Sequence, residues 1–198
     1  MSSRDNILQS IRRHLPEATP LSDLNREAMV VYEDPRQQFS RMLESVGGKA
    51  VTVNSMDEIR EDLARHPAHL SAKKVLSHVD GLEISTFDVT TVDDPHLLED
   101  LDFAVLPAQF GVAENGAVWV TEERIRHRVV MFITQHLALV IPADAIVNNM
   151  HEAYDRVNFE SGDFSVFISG PSKTADIEQS LVIGAHGARS LTVYLLER

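Results

Sequence analysis

Short apolar runs alternate with segments whose apolar residues recur at helical spacing, and this alternation limits the possible folds more than any other feature of the chain. The runs are nearly continuous in apolar residues, which is typical of parallel strands buried on both faces. The pattern predicts an α/β fold with a mainly parallel sheet flanked by helices. Predicted strands are 49–53, 74–77, 102–106, 117–121, 137–141, 164–168 and 191–196; predicted helices are 35–46, one that is capped by Ser55 and carries Ile59 and Leu63, 143–157 and 175–183.

A short amphipathic helix is expected ahead of this domain. Residues 4–15 carry four apolar side chains on one helical face: Ile7, Leu8, Ile11 and Leu15. Pro16 breaks the pattern, and Asp34 followed by Pro35 supplies a cap and a first-turn proline for the next helix. We therefore expect residues 1–33 to form an N-terminal helix and tether, and residues 34–198 to form the α/β domain.

Composition excludes several classes of function. The 18 Lys and Arg against 30 Asp and Glu give a net charge of −12, which repels nucleic acid and anionic membranes. The sequence has no cysteine, so disulfides and cysteine-ligated clusters are excluded within it. It shows no secretory signal and no apolar stretch of about 18 residues, so we expect a cytoplasmic protein without a membrane span.

The first candidate site follows the predicted strand 164–168. There, Gly170 allows close approach of a ligand, and Ser172 or Thr174 can cap a helix that opens near Thr174. Lys173 adds positive charge, whereas two first-turn carboxylates, Asp176 and Glu178, complement the helix dipole and compete with an anion. A well-capped helix start without a ligand is the alternative interpretation.

The second candidate site precedes the predicted strand 117–121. Glu114, Asn115 and Gly116 lie between two strand-like runs, and Asn-Gly is a strong signal for a tight turn. One interpretation gives Glu114 a carboxylate role at the sheet edge and lets Gly116 admit a ligand. The other interpretation is a plain β-turn.

Histidine and arginine patterns offer weaker candidates. His186 is flanked by small residues and can contact a ligand or carry a proton, or it can belong to an ordinary turn. No metal site is expected, because no HExxH pattern is present. Arg124, Arg126 and Arg128 form a basic cluster that suits a solvated segment better than a phosphate clamp.

Residues 168–193, which contain the run Gly-Pro-Ser-Lys-Thr-Ala-Asp-Ile-Glu, resemble the C-terminal signature of the lactate-utilisation protein C family (LutC/YkgG, the LUD-domain proteins). The resemblance extends to 111–120, and we therefore count Gly111 among the candidate ligand-binding residues. Family members often have proline where this chain has Ala188. They often have Asp-Thr-Gly where this chain has Glu114-Asn115-Gly116.

The resemblance implies a NagB/RpiA/CoA transferase-like fold. It also implies a role in the oxidation of L-lactate to pyruvate, alongside two partner proteins that carry iron–sulfur clusters. No cofactor is then expected in this chain, because the clusters belong to the partners.

Three hypotheses about function follow. The chain is a non-redox component of a lactate-oxidising assembly that binds a small anionic ligand or a partner; or it is a CoA-transferase-like or isomerase-like enzyme with Glu114 as nucleophile or base; or it is a non-catalytic ligand sensor. The sequence leaves open whether the chain is an enzyme. All three require the segments before Ala117 and after Ile168 to meet at one end of the sheet, because ligands bind beyond the carboxyl ends of strands.

Overall fold

The computed structural model describes residues 2–16, 25–157, 163–174, 182–184 and 186–197. Within these ranges, four of the six α-helices begin at a residue whose side chain accepts a hydrogen bond from a free backbone amide of the first turn. The Ser2 side chain accepts from Asp5, Asp34 accepts from the Gln37 amide at 2.9 Å, and Ser55 accepts from the Glu58 amide at 3.3 Å. The helices are α1 Ser3–Arg13, α2 Pro35–Ser45, α3 Met56–Leu63, α4 Pro67–Ser71, α5 Val130–Ile133 and α6 Met150–Arg156.

The described strands follow most of the predicted apolar runs. They are β1 Lys49–Val53, β2 Val75–Ser77, β3 Phe103–Pro107, β4 Phe110–Val112, β5 Ala117–Thr121, β6 His136–Pro142, β7 Ile146–Val147, β8 Ser165–Ile168, β9 Lys173–Thr174, β10 Val182–Ile183 and β11 Ser190–Leu196. Five of them form a wholly parallel sheet in the order β1-β11-β6-β3-β2. The predicted α/β fold, with a mainly parallel sheet flanked by helices and a short N-terminal helix, is confirmed.

A second sheet, of four strands, follows the order β7-β4-β5-β8. β4 and β8 pair antiparallel to β5, and β7 pairs parallel to β4. β3 connects the sheets directly, because only Ala108 and Gln109 separate it from β4. The sequence did not predict this sheet as a separate layer.

Two predicted helices are wrong in part. The segment 143–157 begins with strand β7, and α6 starts only at Met150. The predicted helix 175–183 is wrong at its end, because Val182 and Ile183 form strand β10, which pairs antiparallel with β9. Residues 175–181 lie outside the described part of the chain, and the predicted site residues Asp176 and Glu178 lie there with them.

Apolar layers cover both faces of the parallel sheet, as its near-continuous apolar strands require. On one face, fully buried Phe39 and Leu43 of α2 pack with residues of both sheets. On the other, Ile59 and Leu63 of α3 pack against Tyr194 of β11. In contrast, α1 buries none of its residues. No helix in the described part of the chain is long and apolar enough to cross a membrane.

Candidate functional site

The segment from Glu114 to Gly116 forms a tight turn between β4 and β5. The Gly116 amide donates to the Val112 carbonyl at 2.9 Å, and φ of Gly116 is 66°. The Glu114 carboxylate accepts from the Met150 amide at 2.9 Å, and the Glu114 amide donates to the Asn148 carbonyl at 3.0 Å. The tight-turn interpretation is confirmed, and the Glu114 carboxylate links this turn to the start of α6.

The loop after β8 lies directly beside this turn. The Ser169 hydroxyl donates to the Asn115 carbonyl at 2.8 Å. The Ser172 amide donates to the Ala188 carbonyl at 2.8 Å, and this contact brings in the loop that carries His186. The structure therefore brings together the described members of both candidate loops.

These loops lie at the opposite edge of the parallel sheet from the one predicted. Gly47 precedes β1, and a Cβ atom on it would lie 3.5 Å from Cγ of Pro171. Ala188, which contacts Ser172, precedes β11. Because all five strands are parallel, Pro171 and Ser172 lie at the amino-terminal edge. The expectation of a carboxyl-end position for this loop is wrong, because β8 belongs to the second sheet.

Three predicted ligand-binding glycines accommodate α2. A Cβ atom on Gly111 would lie 2.8 Å from the Phe39 ring, and one on Gly116 would lie 2.6 Å from the Leu43 amide nitrogen. At Gly170, where φ is 72°, it would lie 2.7 Å from the Val46 carbonyl oxygen. Helix packing thus explains these glycines without a ligand.

Positive charge collects on the remaining polar part of the loops. The side chains of Lys173, His186 and Arg189 are exposed. His186 lines a groove of about 340 Å³ with apolar Val129 and Phe132. In the described residues of 169–174 and 182–189, Lys173 and Arg189 are the charged groups apart from the titratable His186. These cations favour an anion within a chain whose net charge is −12, and Asp176 and Glu178, which follow Lys173 in the sequence, would compete with it.

A second polar region lies at the carboxyl edge of the parallel sheet, and it contains none of the predicted site residues. A cavity of about 290 Å³ there is lined by seven residues: Pro107, Ala108, Gln109, Thr121, Glu123, Arg124 and Pro142. The neighbouring cavity, of about 540 Å³, shares Arg124 and adds Ser77, His78, Asp80 and Glu83 among its lining residues. Polar residues at the carboxyl ends of predicted strands, such as Ser77, are the sequence feature that could have indicated this region.

Charge and hydrogen bonding distinguish this region from the amino-edge loops. Arg124 donates to Asp80 at 2.8 Å, and Glu83 and Glu123 add further negative charge. Nε2 of His78 is buried and has no hydrogen-bond partner in the described part of the chain. Burial, followed by the nearby His127, holds the pKa of His78 below its usual value. An anion is therefore less favourable here than beside Lys173.

The three arginines that are close in sequence contact different partners. Arg124 pairs with Asp80, Arg126 donates to Asp93 at 3.3 Å, and the Arg128 guanidinium lies 5.5 Å from the centre of the Phe164 ring. Their different partners agree with a solvated segment and not with a single phosphate clamp. In the described part of the chain, no group of three His, Cys, Asp or Glu residues is arranged to hold a metal.

Comparison with known proteins gives a consistent family match. The profile of the LUD domain matches residues 93–196. "Lactate utilization protein C" of Bacillus pumilus is 30% identical over 130 residues, which are 59% of this chain and 54% of that protein. The protein of the same name from Shouchella clausii is 32% identical over 94 residues, 45% of this chain and 41% of that protein. The chain thus spans about half the length of these relatives.

A solved structure shares the fold. The crystal structure of a DUF162 family protein from Deinococcus radiodurans aligns with a TM-score of 0.59 at 16% sequence identity. The alignment covers 82% of this chain and 96% of that one. Identity this low is evidence of a common fold alone.

Proposed function

The chain belongs to the LUD domain family, and from this premise we propose that it is a component of an L-lactate utilisation system that oxidises L-lactate to pyruvate. In this proposal it acts with partner proteins that carry iron–sulfur clusters. The observation that carries the proposal is the match of residues 93–196 to the LUD domain, together with relatives named lactate utilization protein C.

The amino-acid composition bears on which protein of the proposed system holds the iron–sulfur clusters. The sequence has no cysteine, so a cysteine-ligated cluster in such a system must be held outside these 198 residues. This chain then contributes binding of a small anion or of a partner, and not electron transfer through a cluster of its own.

We place the anion site at the amino-edge loops, on Ser172, Lys173 and His186. Lys173 and Arg189 supply positive charge there, whereas Arg124 at the carboxyl edge already pairs with Asp80. Glu114, proposed as a nucleophile in the enzyme hypothesis, is already bonded to the Met150 amide. This bond favours the binding role over covalent catalysis by Glu114.

Growth on L-lactate as sole carbon source tests the proposal. We expect a strain lacking this chain to fail on L-lactate, to grow normally on glucose, and to recover when the wild-type chain is restored. Normal growth of the deleted strain on L-lactate would refute the proposed role.

The anion site is tested in the same strain with charge reversals. Lys173→Glu should restore growth poorly because it removes a cation from the loop. Lys73→Glu is the matched control, because Lys73 is also exposed but precedes β2 on the far side of the five-stranded sheet. Equal restoration by both variants, at equal protein levels, would remove the support for this site.

A further inference from the structure

In the described part of the chain, strand β8 is an edge strand of the four-stranded sheet. Its described pairing is with β5 alone. The Glu122 amide donates to the Phe164 carbonyl at 3.0 Å and continues the β5–β8 ladder, so residue 164 and every second residue after it turn their backbone groups toward β5. The backbone N–H and C=O groups of Ser165 and Phe167 therefore face outward. They have no hydrogen-bond partner in the part of the chain that the structure describes.

The described residues of this edge lack the lysine, proline or bulge that usually blocks pairing with another chain. Proteins protect open edges with lysine, proline or a bulge, and the residues of β8 are Ser, Val, Phe and Ile. Apolar side chains continue beside it on both faces of the sheet. Phe132, 39% exposed, packs edge-on against Phe164 with ring centres 6.0 Å apart, and Tyr154, 54% exposed, packs against Phe167 at 6.2 Å.

The charge around the edge favours a second copy of the same chain as its occupant. The chain as a whole has a net charge of −12, so two copies repel each other over most of their surfaces. The described stretch 163–174 carries one acidic residue, Asp163, and one basic residue, Lys173, and Arg128 lies over Phe164 beside it. Identical strands are also self-complementary about a two-fold axis.

We propose that two copies of this chain associate by antiparallel pairing of their β8 strands, which joins the two four-stranded sheets into one. With the two-fold axis at Val166, Ser165 exchanges both backbone hydrogen bonds with the partner subunit's Phe167. The pairing also shields Phe132 and Tyr154 from water. The proposal is independent of the role in lactate utilisation.

Sedimentation equilibrium of the full chain over a range of concentrations tests the pairing. We expect a reversible dimer in the wild type. Ser165→Pro removes an outward N–H but no hydrogen bond to β5, so it should raise the dissociation constant at least about tenfold because two hydrogen bonds are lost from the symmetric pair. Ile11→Lys, at an exposed apolar residue of α1, is the control and should leave the dissociation constant unchanged.

Two further measurements keep the test decisive if proline disturbs folding. Phe132→Glu leaves the β8 backbone intact and should also weaken the dimer, with circular dichroism confirming the fold. The Phe167 amide should exchange its hydrogen more slowly at high than at low protein concentration. A wild type that is monomeric at every concentration, a dimer that survives both β8-side substitutions, or a dimer abolished by Ile11→Lys would overturn the proposal.

Discussion

Alanine at Gly116 is expected to destabilise the protein much more than alanine at Gly81, although both glycines have positive φ angles, 66° and 78°. At Gly81 the nearest atom to a new Cβ is the flexible Cγ of Met56 at 3.8 Å, an ordinary contact. At Gly116 the new Cβ would lie 2.6 Å from the Leu43 amide nitrogen and 2.8 Å from its Cα. These are backbone atoms of α2, so rotation of a side chain cannot relieve the clash.

The cost of the steric clash and the cost of the left-handed backbone can be measured separately, because Gly111 has a clash without a positive φ. Left-handed backbone costs a non-glycine residue roughly 1–2 kcal/mol, which sets the expectation for Gly81→Ala. Overpacking costs about 1–3 kcal/mol, and we expect this loss of stability for Gly111→Ala, because its Cβ would lie 2.8 Å from the Phe39 ring. Gly116→Ala combines both, so we expect a loss of roughly 2–5 kcal/mol.

Urea denaturation followed by circular dichroism measures these differences, with thermal melting as a second readout. For a chain of this size each kcal/mol lowers the melting temperature by about 2–4 °C. Equal destabilisation by Gly116→Ala and Gly81→Ala would refute the packing of α2 against the turn. A Gly116→Ala variant that stays stable but no longer supports growth on L-lactate would instead identify Gly116 as a ligand-contacting residue.

Three other predictions concern single side chains and pH. Burial holds the pKa values of His69, His78 and His136 below the usual value of about 6.5. Urea titrations should therefore show full stability above about pH 6.5 and a loss of stability as the pH falls through these lowered pKa values. Tyr194→Phe removes the hydrogen bond to Asp62 at 2.8 Å and should lower the free energy of unfolding by about 1–2 kcal/mol in urea. Glu114→Gln should still support growth on L-lactate, whereas Glu114→Ala should cost about 0.5–1 kcal/mol of stability through loss of the bond to the Met150 amide.

The sequence predicted the strands whose apolar character is local and continuous. β1 and β5 occupy the predicted residues, and β6 and β11 differ from prediction by one residue at one or both ends. In contrast, β7 has two residues, and its apolar side chains also fit the helical spacing of 143–157. Its strand conformation depends on pairing with Gly111 and Val112, far away in the sequence. Local periodicity carries no information about such a partner.

The same limit explains the outcome for the candidate site. The two predicted loops do meet, since Ser169 bonds to Asn115, but their position relative to the parallel sheet depends on which sheet β8 joins. β8 pairs with β5 in the second sheet, and its following loop therefore runs to the amino-terminal edge. A rule based on strand ends cannot place a loop until the partner of its strand is known.

Helix α2 gives the glycines of the candidate loops a structural role that does not need a ligand. It lies outside the residues that match the LUD domain, yet its buried side chains pack with residues of that matched region such as Leu106 and Val118. Close contacts of Gly111 and Gly116 with α2, and of Gly170 with the capping residue Val46, draw three separate segments onto this helix and its end. Such a glycine indicates that another group approaches the backbone closely, and here that group belongs to the same chain and not to a ligand. The side chains that such packing leaves exposed, Lys173 and His186, are therefore the better guides to the anion site that we propose.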